Sequence, residues 1–340
     1  MRLQTTIIAA ALVLCSCGGS QQKANDPLAD SGRTQRTENL LQNLKALGDS
    51  SVYLFGHHDD TVYGIGWEAD YSDDASIHQR SDVMSVCNDY PALLSFDLGR
   101  LELGDARNPD GVPFERIRQE IIAHYDGGGL VTLSWQPEDE EPNRLADFLN
   151  GLETPYGVRV PIVLRLPNAT KDEWRKTVEY LKDKGVVNAL YAYSPGTEAD
   201  GDETGYMERY PGDDIIDLLG LECYCLAPEA DTTQIADYAA RLDRNLGMVC
   251  AVAKKHQKAV ALTETGYESI KANDWWTHTL APVLGRHPIS YVLVGRNAHD
   301  KPGHFFAPYP GQLSASDFVR FYNDPQTLFL HDVNGLYLSK

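Results

Sequence analysis

Several side chains that could do chemistry stand directly after short apolar runs. Glu264 follows the run 259–263, where a carboxylate either serves a reaction or forms a buried ion pair, for which Arg165 is the candidate partner. Polar and aromatic residues follow the other runs as well: His57-His58-Asp59-Asp60, Asp97, Trp135-Gln136, Arg165, Asn168, Tyr193, Glu222, Tyr224 and Arg296-Asn297. This pattern indicates a functional site without identifying its reaction.

The segment His57-His58-Asp59-Asp60 carries side chains that bind metal ions. Adjacent residues of a strand point to opposite faces, however, so the two histidines can hardly share one ion. We therefore expect no metal and no cofactor.

The elements that must position these residues alternate along the whole chain. Amphipathic stretches at 114–125, 173–184, 235–256 and 275–284 predict helices. Strand-like runs lie at 52–57, 92–98, 130–135, 161–166, 189–193, 215–221, 259–263 and 290–294. Eight such units predict a single (β/α)8 barrel, whose sites lie at the carboxyl ends of the strands. The competing doubly wound sheet would require a glycine-rich loop after the first strand, where Gly56-His57-His58 stands instead.

The composition limits the possible partners. The net charge of −19 argues against nucleic acid, which requires a basic face, whereas a neutral glycan remains compatible. The cysteines beyond the leader show no metal-type spacing, and a disulfide among them stays open: Cys87, Cys223, Cys225 and Cys250.

The first residues predict export. Met1-Arg2 precedes the apolar run 7–14, which is too short to span a bilayer. The following Leu14-Cys15-Ser16-Cys17 resembles a lipobox, in which Cys17 would be acylated; an ordinary cleaved signal with two incidental cysteines is the alternative. We predict a signal peptide at 1–17, a flexible tether at 18–35 and one barrel domain at 36–340. The predicted protein is an outer-membrane lipoprotein of the cell surface or periplasmic face, monomeric, with a lipid anchor as its only membrane contact.

Ordered motifs from about Leu40 to the C-terminus resemble glycoside hydrolase family 26, the β-mannanase family, particularly members from gut Bacteroidetes. The matching segments are Phe55-Gly56-His57-His58-Asp59-Asp60, Tyr63-Gly64-Ile65-Gly66-Trp67, Asp97-Leu98-Gly99, Glu102-Leu103-Gly104, Val131-Thr132-Leu133-Ser134-Trp135, Leu190-Tyr191-Ala192-Tyr193-Ser194-Pro195-Gly196, Tyr210-Pro211-Gly212-Asp213-Asp214, Leu262-Thr263-Glu264-Thr265-Gly266-Tyr267 and Arg296-Asn297-Ala298. The resemblance implies a retaining hydrolase with two carboxylates, a nucleophile and a proton donor, about 5 Å apart.

By the same resemblance, Glu264 falls on the nucleophile position, Tyr224 on the tyrosine that holds it, and Arg165 on the arginine of the fourth strand. The substrate-binding residues it implies are His57, Asp60, Trp67, Asp97, Trp135, Asn168, Tyr193, Arg296 and Asn297.

The sequence departs from the family where the chemistry occurs. The family's Arg-Pro-x-His-Glu becomes Arg165-Leu166-Pro167-Asn168-Ala169, so Ala169 occupies the acid/base position. The aromatic loop that follows in the family is absent. Gln136 replaces a histidine, Gly295 replaces a tryptophan, and Arg100 stands where a histidine is common. Two carboxylates could compensate, one from the run Glu138-Asp139-Glu140-Glu141 and one at Glu173, although a solvated loop and a helix N-terminus explain them better.

Losing a general acid removes a factor of roughly 10²–10⁴ in rate. The sequence therefore predicts a family 26-like protein for β-mannan or a related polysaccharide, with a surviving nucleophile and impaired hydrolysis. The alternatives are a non-catalytic surface glycan-binding pseudoenzyme and a barrel that binds no glycan.

Overall fold

The computed structural model describes residues 26–137, 142–195 and 201–339. Eight parallel strands of its main sheet form the barrel: β1 (Tyr53–His58), β2 (Leu93–Asp97), β3 (Leu130–Ser134), β4 (Ile162–Arg165), β5 (Ala189–Tyr193), β6 (Leu218–Cys225), β7 (Ala259–Tyr267) and β8 (Tyr291–Val294). A ninth short strand, Thr327–Leu328, also pairs with β1. β8 pairs with β1, with Leu54 opposite Tyr291, and this pairing closes the sheet. The predicted (β/α)8 barrel is confirmed.

The first helix precedes β1, and the others follow the strands on the outside of the barrel. They are α1 (Gln35–Asp49), α2 (Asp82–Cys87), α3 (Phe114–Asp126), α4 (Asn143–Asn150), α5 (Lys171–Asp183), α6 (Glu203–Met207), α7 (Thr232–His256), α8 (Ala281–Leu284) and α9 (Ala315–Tyr322). A π-helical turn, Trp276–Leu280, leads into α8. Trp275 and Trp276, on the last predicted helix, are fully buried and serve packing.

Side chains alternate between the two faces of each strand, as the period of two requires. One buried cluster joins α1 to inward-facing strand residues such as Leu54, Leu93 and Ala259. A second, larger cluster lies between the strands and the outer helices. Since Leu40 and Leu44 belong to the first cluster, α1 covers the amino-terminal end of the barrel and leaves the carboxyl-terminal end for a site.

A β-bulge in β7 changes which face its last residues present. Leu221 of β6 pairs with Leu262, but the next residue, Glu222, pairs with Glu264, so Thr263 is the extra residue. Ala259 and Ala261 face the barrel interior, and uninterrupted alternation would therefore point Glu264 outward. The bulge turns Glu264 inward instead, and Thr265 points out to Tyr238 of α7.

The ends of two strands and the end of the tether differ from the sequence prediction. β6 and β7 extend beyond the predicted ends at 221 and 263, because the polar residues there continue the strands. The tether predicted to reach residue 35 ends earlier, since Arg33 forms an ion pair of 2.7 Å with Asp217 and the Thr34 amide donates to Val187 O at 2.9 Å.

Two further findings concern the membrane and the cysteines. Within the described ranges, no helix has the length and apolarity needed to cross a bilayer. Among the residues that the structure describes, no disulfide joins Cys87, Cys223, Cys225 or Cys250.

Candidate active site

The inward-facing residues at the carboxyl-terminal ends of the strands form one cluster. Alternation along β1, β2, β4, β6 and β7 points these side chains into the barrel mouth: His58, Asp97, Arg165, Glu222 and Glu264. The same alternation turns His57 and Tyr193 outward, where His57 contacts Asp60 and the Tyr193 hydroxyl donates to Tyr206 O at 2.6 Å. Both were expected to bind substrate, and the structure instead places them in the wall behind the cleft.

Glu264 lies at the centre of this cluster. Arg165 Nη2 donates to its Oε1, and the Tyr224 hydroxyl donates to its Oε2 at 3.3 Å. Burial alone would raise the pKa of Glu264, but the cations Arg165 and His58 and these hydrogen bonds hold it below its ordinary value. Its side chain is 23% exposed, so an ionised carboxylate is presented to the cleft. The ion pair anticipated from sequence is present, and it orients the carboxylate rather than hiding it.

Glu222 and Tyr224 approach Glu264 from the neighbouring strand. Burial and the charge of Glu264 raise the pKa of Glu222, and Arg165 partly opposes that shift. Burial and the same two carboxylates raise the pKa of Tyr224 well above its usual range, so its hydroxyl stays protonated and donates to Glu264. The environment therefore separates two neighbouring carboxyl groups into one charged and one more readily protonated.

A second ionic group lines the mouth beside β1. His58 Nε2 lies 3.2 Å from Asp59 Oδ2, and Arg296 Nη2 lies 3.1 Å from Asp110 Oδ1. Burial opposes the charge on His58, but Asp59 outweighs that effect and raises the His58 pKa to about 9. His58, Asp59 and Asp110 have the spacing of a metal site. Because two cations, His58 and Arg296, already balance the two carboxylates, this donor set does not require an added ion.

Position 169 lies in the short connection between β4 and α5. Helix α5 begins two residues later, capped by Thr170, whose hydroxyl accepts from the Glu173 amide at 3.3 Å. The Glu173 carboxylate accepts in turn from the Thr170 amide at 2.6 Å, and these hydrogen bonds lower its pKa. Glu173 is thus committed to capping as an anion and is a poor proton donor. A cleft of about 280 Å³ opens here, lined by Ala169, Trp135, Asn168 and their neighbours.

Phe306 fills the space beside Gly295, where the resemblance led us to expect a tryptophan. A Cβ atom added at Gly295 would lie 2.8 Å from Phe306 Cδ2 and 3.0 Å from the Tyr224 hydroxyl oxygen. The Phe306 ring stands edge-on to Tyr224 with the ring centroids 5.3 Å apart. Phe306 is only 4% exposed, so it closes the site behind Tyr224 and offers little surface for stacking a sugar.

Comparison with known proteins identifies the family of this barrel. The family model "Glycosyl hydrolase family 26" matches residues 156–271. A family 26 β-mannanase structure from Bacteroides ovatus is 42% identical, with a TM-score of 0.82, and the match covers 91% of this chain and 98% of that one. The chain belongs to glycoside hydrolase family 26.

A more distant structure and a sequence relative are also mannan-degrading enzymes by name. A modular endo-β-1,4-mannanase from Cellulomonas fimi is 26% identical with a TM-score of 0.76, over 92% of this chain and 79% of that one. A mannan endo-1,4-beta-mannosidase of Bifidobacterium adolescentis is 27% identical over 70% of this chain, which spans only 28% of that protein's length.

Several residues expected to bind substrate have their polar atoms engaged within this family 26 barrel. Trp67 Nε1 donates to Asp82 Oδ1 at 2.8 Å, and Asn297 is 1% exposed and also donates to Asp82, at 2.9 Å. Asp60 is buried against His57 and accepts from Ser81. We therefore infer that Asp60, Trp67 and Asn297 hold the loops that follow β1 and β8 in place.

Of the remaining predicted residues, Trp135 and Asn168 line the cleft beside Ala169, and Asp97 and Arg296 have partners elsewhere at the carboxyl-terminal ends of the strands. Asn168 is exposed and donates to Gln136 at 3.5 Å, and Trp135 Nε1 donates to Glu102 at 3.1 Å. Asp97 Oδ1 accepts from the Gly99 amide at 2.9 Å. Arg296 donates to the Tyr63 hydroxyl at 3.4 Å. Their contact with a glycan stays a prediction.

Sequence reasoning did not assign roles to Glu222, Asp110 and Phe306. A signal existed for Glu222, because it lies two residues before Tyr224 and must share its face of the strand. Nothing local marks Asp110 or Phe306, which reach the mouth from loops. Cys17 and the run Glu138-Asp139-Glu140-Glu141 lie outside the described residues.

Proposed function

We propose that this chain acts on a β-mannan-type polysaccharide by a retaining mechanism, with Glu264 as nucleophile, and that it hydrolyses ordinary glycosides slowly. The observation that carries the proposal is the state of Glu264, an inward-facing carboxylate kept ionised by Arg165 and held by Tyr224. A carboxylate so oriented has the charge and position that attack on an anomeric carbon requires. The names of the related β-mannanases support the choice of substrate.

The slow hydrolysis follows from position 169. Ala169 offers no proton, and the nearby Glu173 carboxylate is an anion engaged in helix capping. A glycosidic oxygen leaves poorly unless it is protonated, and a general acid contributes roughly 10²–10⁴ in rate. An aryl glycoside with a good leaving group does not need that proton, so release of its aryl group in the first step should report on Glu264 alone.

The experiment compares two substrates. Purified protein should cleave an activated aryl β-mannoside readily and β-mannan slowly, and Glu264→Gln should abolish both reactions. Cleavage of mannan at the rate typical of family 26 enzymes would contradict the impairment, and aryl cleavage unaffected by Glu264→Gln would contradict the assigned nucleophile.

A non-catalytic role in holding glycan is the second candidate. It is favoured by the open cleft of about 280 Å³ beside Ala169, where the family's acid and aromatic loop are replaced by a short turn into α5. Retention on a mannan affinity gel with no turnover of either substrate would select this function over the first.

We further propose export and anchoring through Cys17, with residues 1–17 as the signal peptide and a tether that ends before Arg33, where the barrel domain begins. The support is the lipobox-like Leu14-Cys15-Ser16-Cys17 behind a short apolar run. Metabolic labelling with a radioactive fatty acid should mark the wild type and leave Cys17→Ala unlabelled. Equal labelling of both would exclude this anchor.

A further inference from the structure

Glu222 stands beside the proposed nucleophile on the adjacent strand. The bulge at Thr263 brings Glu222 of β6 into register with Glu264 of β7, and alternation points both side chains into the barrel. Neighbouring strands lie about 4.7–4.9 Å apart, so the two side chains start from adjacent points of the same wall and can reach the same substrate.

The two carboxyl groups differ in their partners. Arg165 and Tyr224 both bind Glu264. Across the part of the chain that the structure describes, no donor forms a hydrogen bond to the Glu222 carboxyl group, which is half-buried. A carboxyl group that lacks donors, is partly buried and faces an anion is favoured in its protonated form. Glu222 is thus free to give a proton, whereas Glu264 is held as the base form.

We propose that Glu222 is the proton donor that takes over from the residue missing at position 169. In the first step, the Glu222 carboxyl gives its proton to the glycosidic oxygen while the bond from that oxygen to the anomeric carbon breaks and Glu264 bonds to the carbon. In the second step, the Glu222 carboxylate takes a proton from water as the water oxygen bonds to the anomeric carbon and Glu264 leaves. This step assignment rests on the proposed role of Glu264.

Asp97 is the competing donor, because burial and Glu264 also raise its pKa. Two observations argue against it. Its Oδ1 already accepts from the Gly99 amide, and the neighbouring His58 cation favours its charged form.

The test compares an unactivated manno-oligosaccharide with an aryl β-mannoside that carries a good leaving group. Glu222→Gln should lower kcat/KM on the oligosaccharide by about 10²-fold, the lower end of the general-acid range, because hydrolysis is already slow without an acid at position 169. The first-turnover burst of aryl release, which needs no acid, should fall far less, and Glu222→Asp should restore part of the loss on the oligosaccharide. Glu173→Gln is the matched control and should leave the ratio of the two rates unchanged. Equal losses in oligosaccharide kcat/KM and in the rate of the aryl burst would overturn the proposal, since Glu222 would then act only through the charge of Glu264.

The pH profile of the wild type provides a second readout that needs no variant. As pH rises through the raised pKa of Glu222, oligosaccharide cleavage should fall while aryl cleavage continues. Identical alkaline limbs for both substrates, or a selective loss in Asp97→Asn instead of Glu222→Gln, would refute the assignment. Absence of aryl cleavage in the wild type would instead refute the role of Glu264, on which the proposal depends.

Discussion

Replacing Ala169 with glutamate should restore hydrolysis of unactivated mannan. Ala169 borders a cleft of about 280 Å³, so a longer side chain can enter without displacing the buried core. The new carboxyl would lie near the amino terminus of α5, whose dipole favours the charged form and weakens it as an acid. Since Glu222 already supplies a proton in our account, we expect the lower end of the general-acid range, about 10²-fold or ~2.7 kcal/mol.

The assay is release of reducing ends from β-mannan, with an activated aryl β-mannoside measured in parallel. Ala169→Gln is the matched control, because it has the same size and cannot donate a carboxyl proton. Ala169→Glu should gain on mannan only, and Ala169→Gln should gain on neither substrate. If a folded Ala169→Glu variant gained nothing on mannan while it still cleaved the aryl substrate, the reasoning about position 169 would be refuted.

Two further predictions concern the surroundings of Glu264. Gly295→Trp should destabilise the fold by about 1–3 kcal/mol in urea denaturation, because its Cβ would lie 2.8 Å from Phe306, and Phe306→Ala should relieve part of that cost. Unchanged stability of the single variant would show that Phe306 moves freely. His58→Asn should shift the acid limb of aryl cleavage to higher pH, because the His58 cation helps to hold the pKa of Glu264 low; an unmoved limb would exclude that coupling.

The barrel could be predicted because each of its eight strands is a short apolar run, and such a signal is local. It was harder to predict to which face of the sheet each side chain points, because this depends on the register of the strands. Strand β1 was expected at 52–57 and the structure has it at Tyr53–His58. Successive residues of a strand point to opposite faces, so only the register of β1 decides which histidine points into the barrel mouth. In the structure it is His58, and His57 points outward.

In the candidate site, too, some contacts could be predicted from the sequence and others depend on strand register. The contact of Glu264 with Arg165 and Tyr224 was expected from sequence, and the structure places the three together. The bulge at Thr263 could not be predicted, since one extra residue leaves the composition of the strand unchanged. The pairing of Glu222 with Glu264 depends on that bulge and was missed with it.

Covalent capture tests the central claim most directly. The wild-type protein, incubated with a 2-deoxy-2-fluoro mannosyl fluoride, needs no proton donor to form the glycosyl-enzyme, because fluoride is a good leaving group. Our account predicts one added sugar by mass spectrometry, located on the peptide that contains Glu264 and absent in Glu264→Gln. A folded protein that gained no label, or carried it on another residue, would contradict the account.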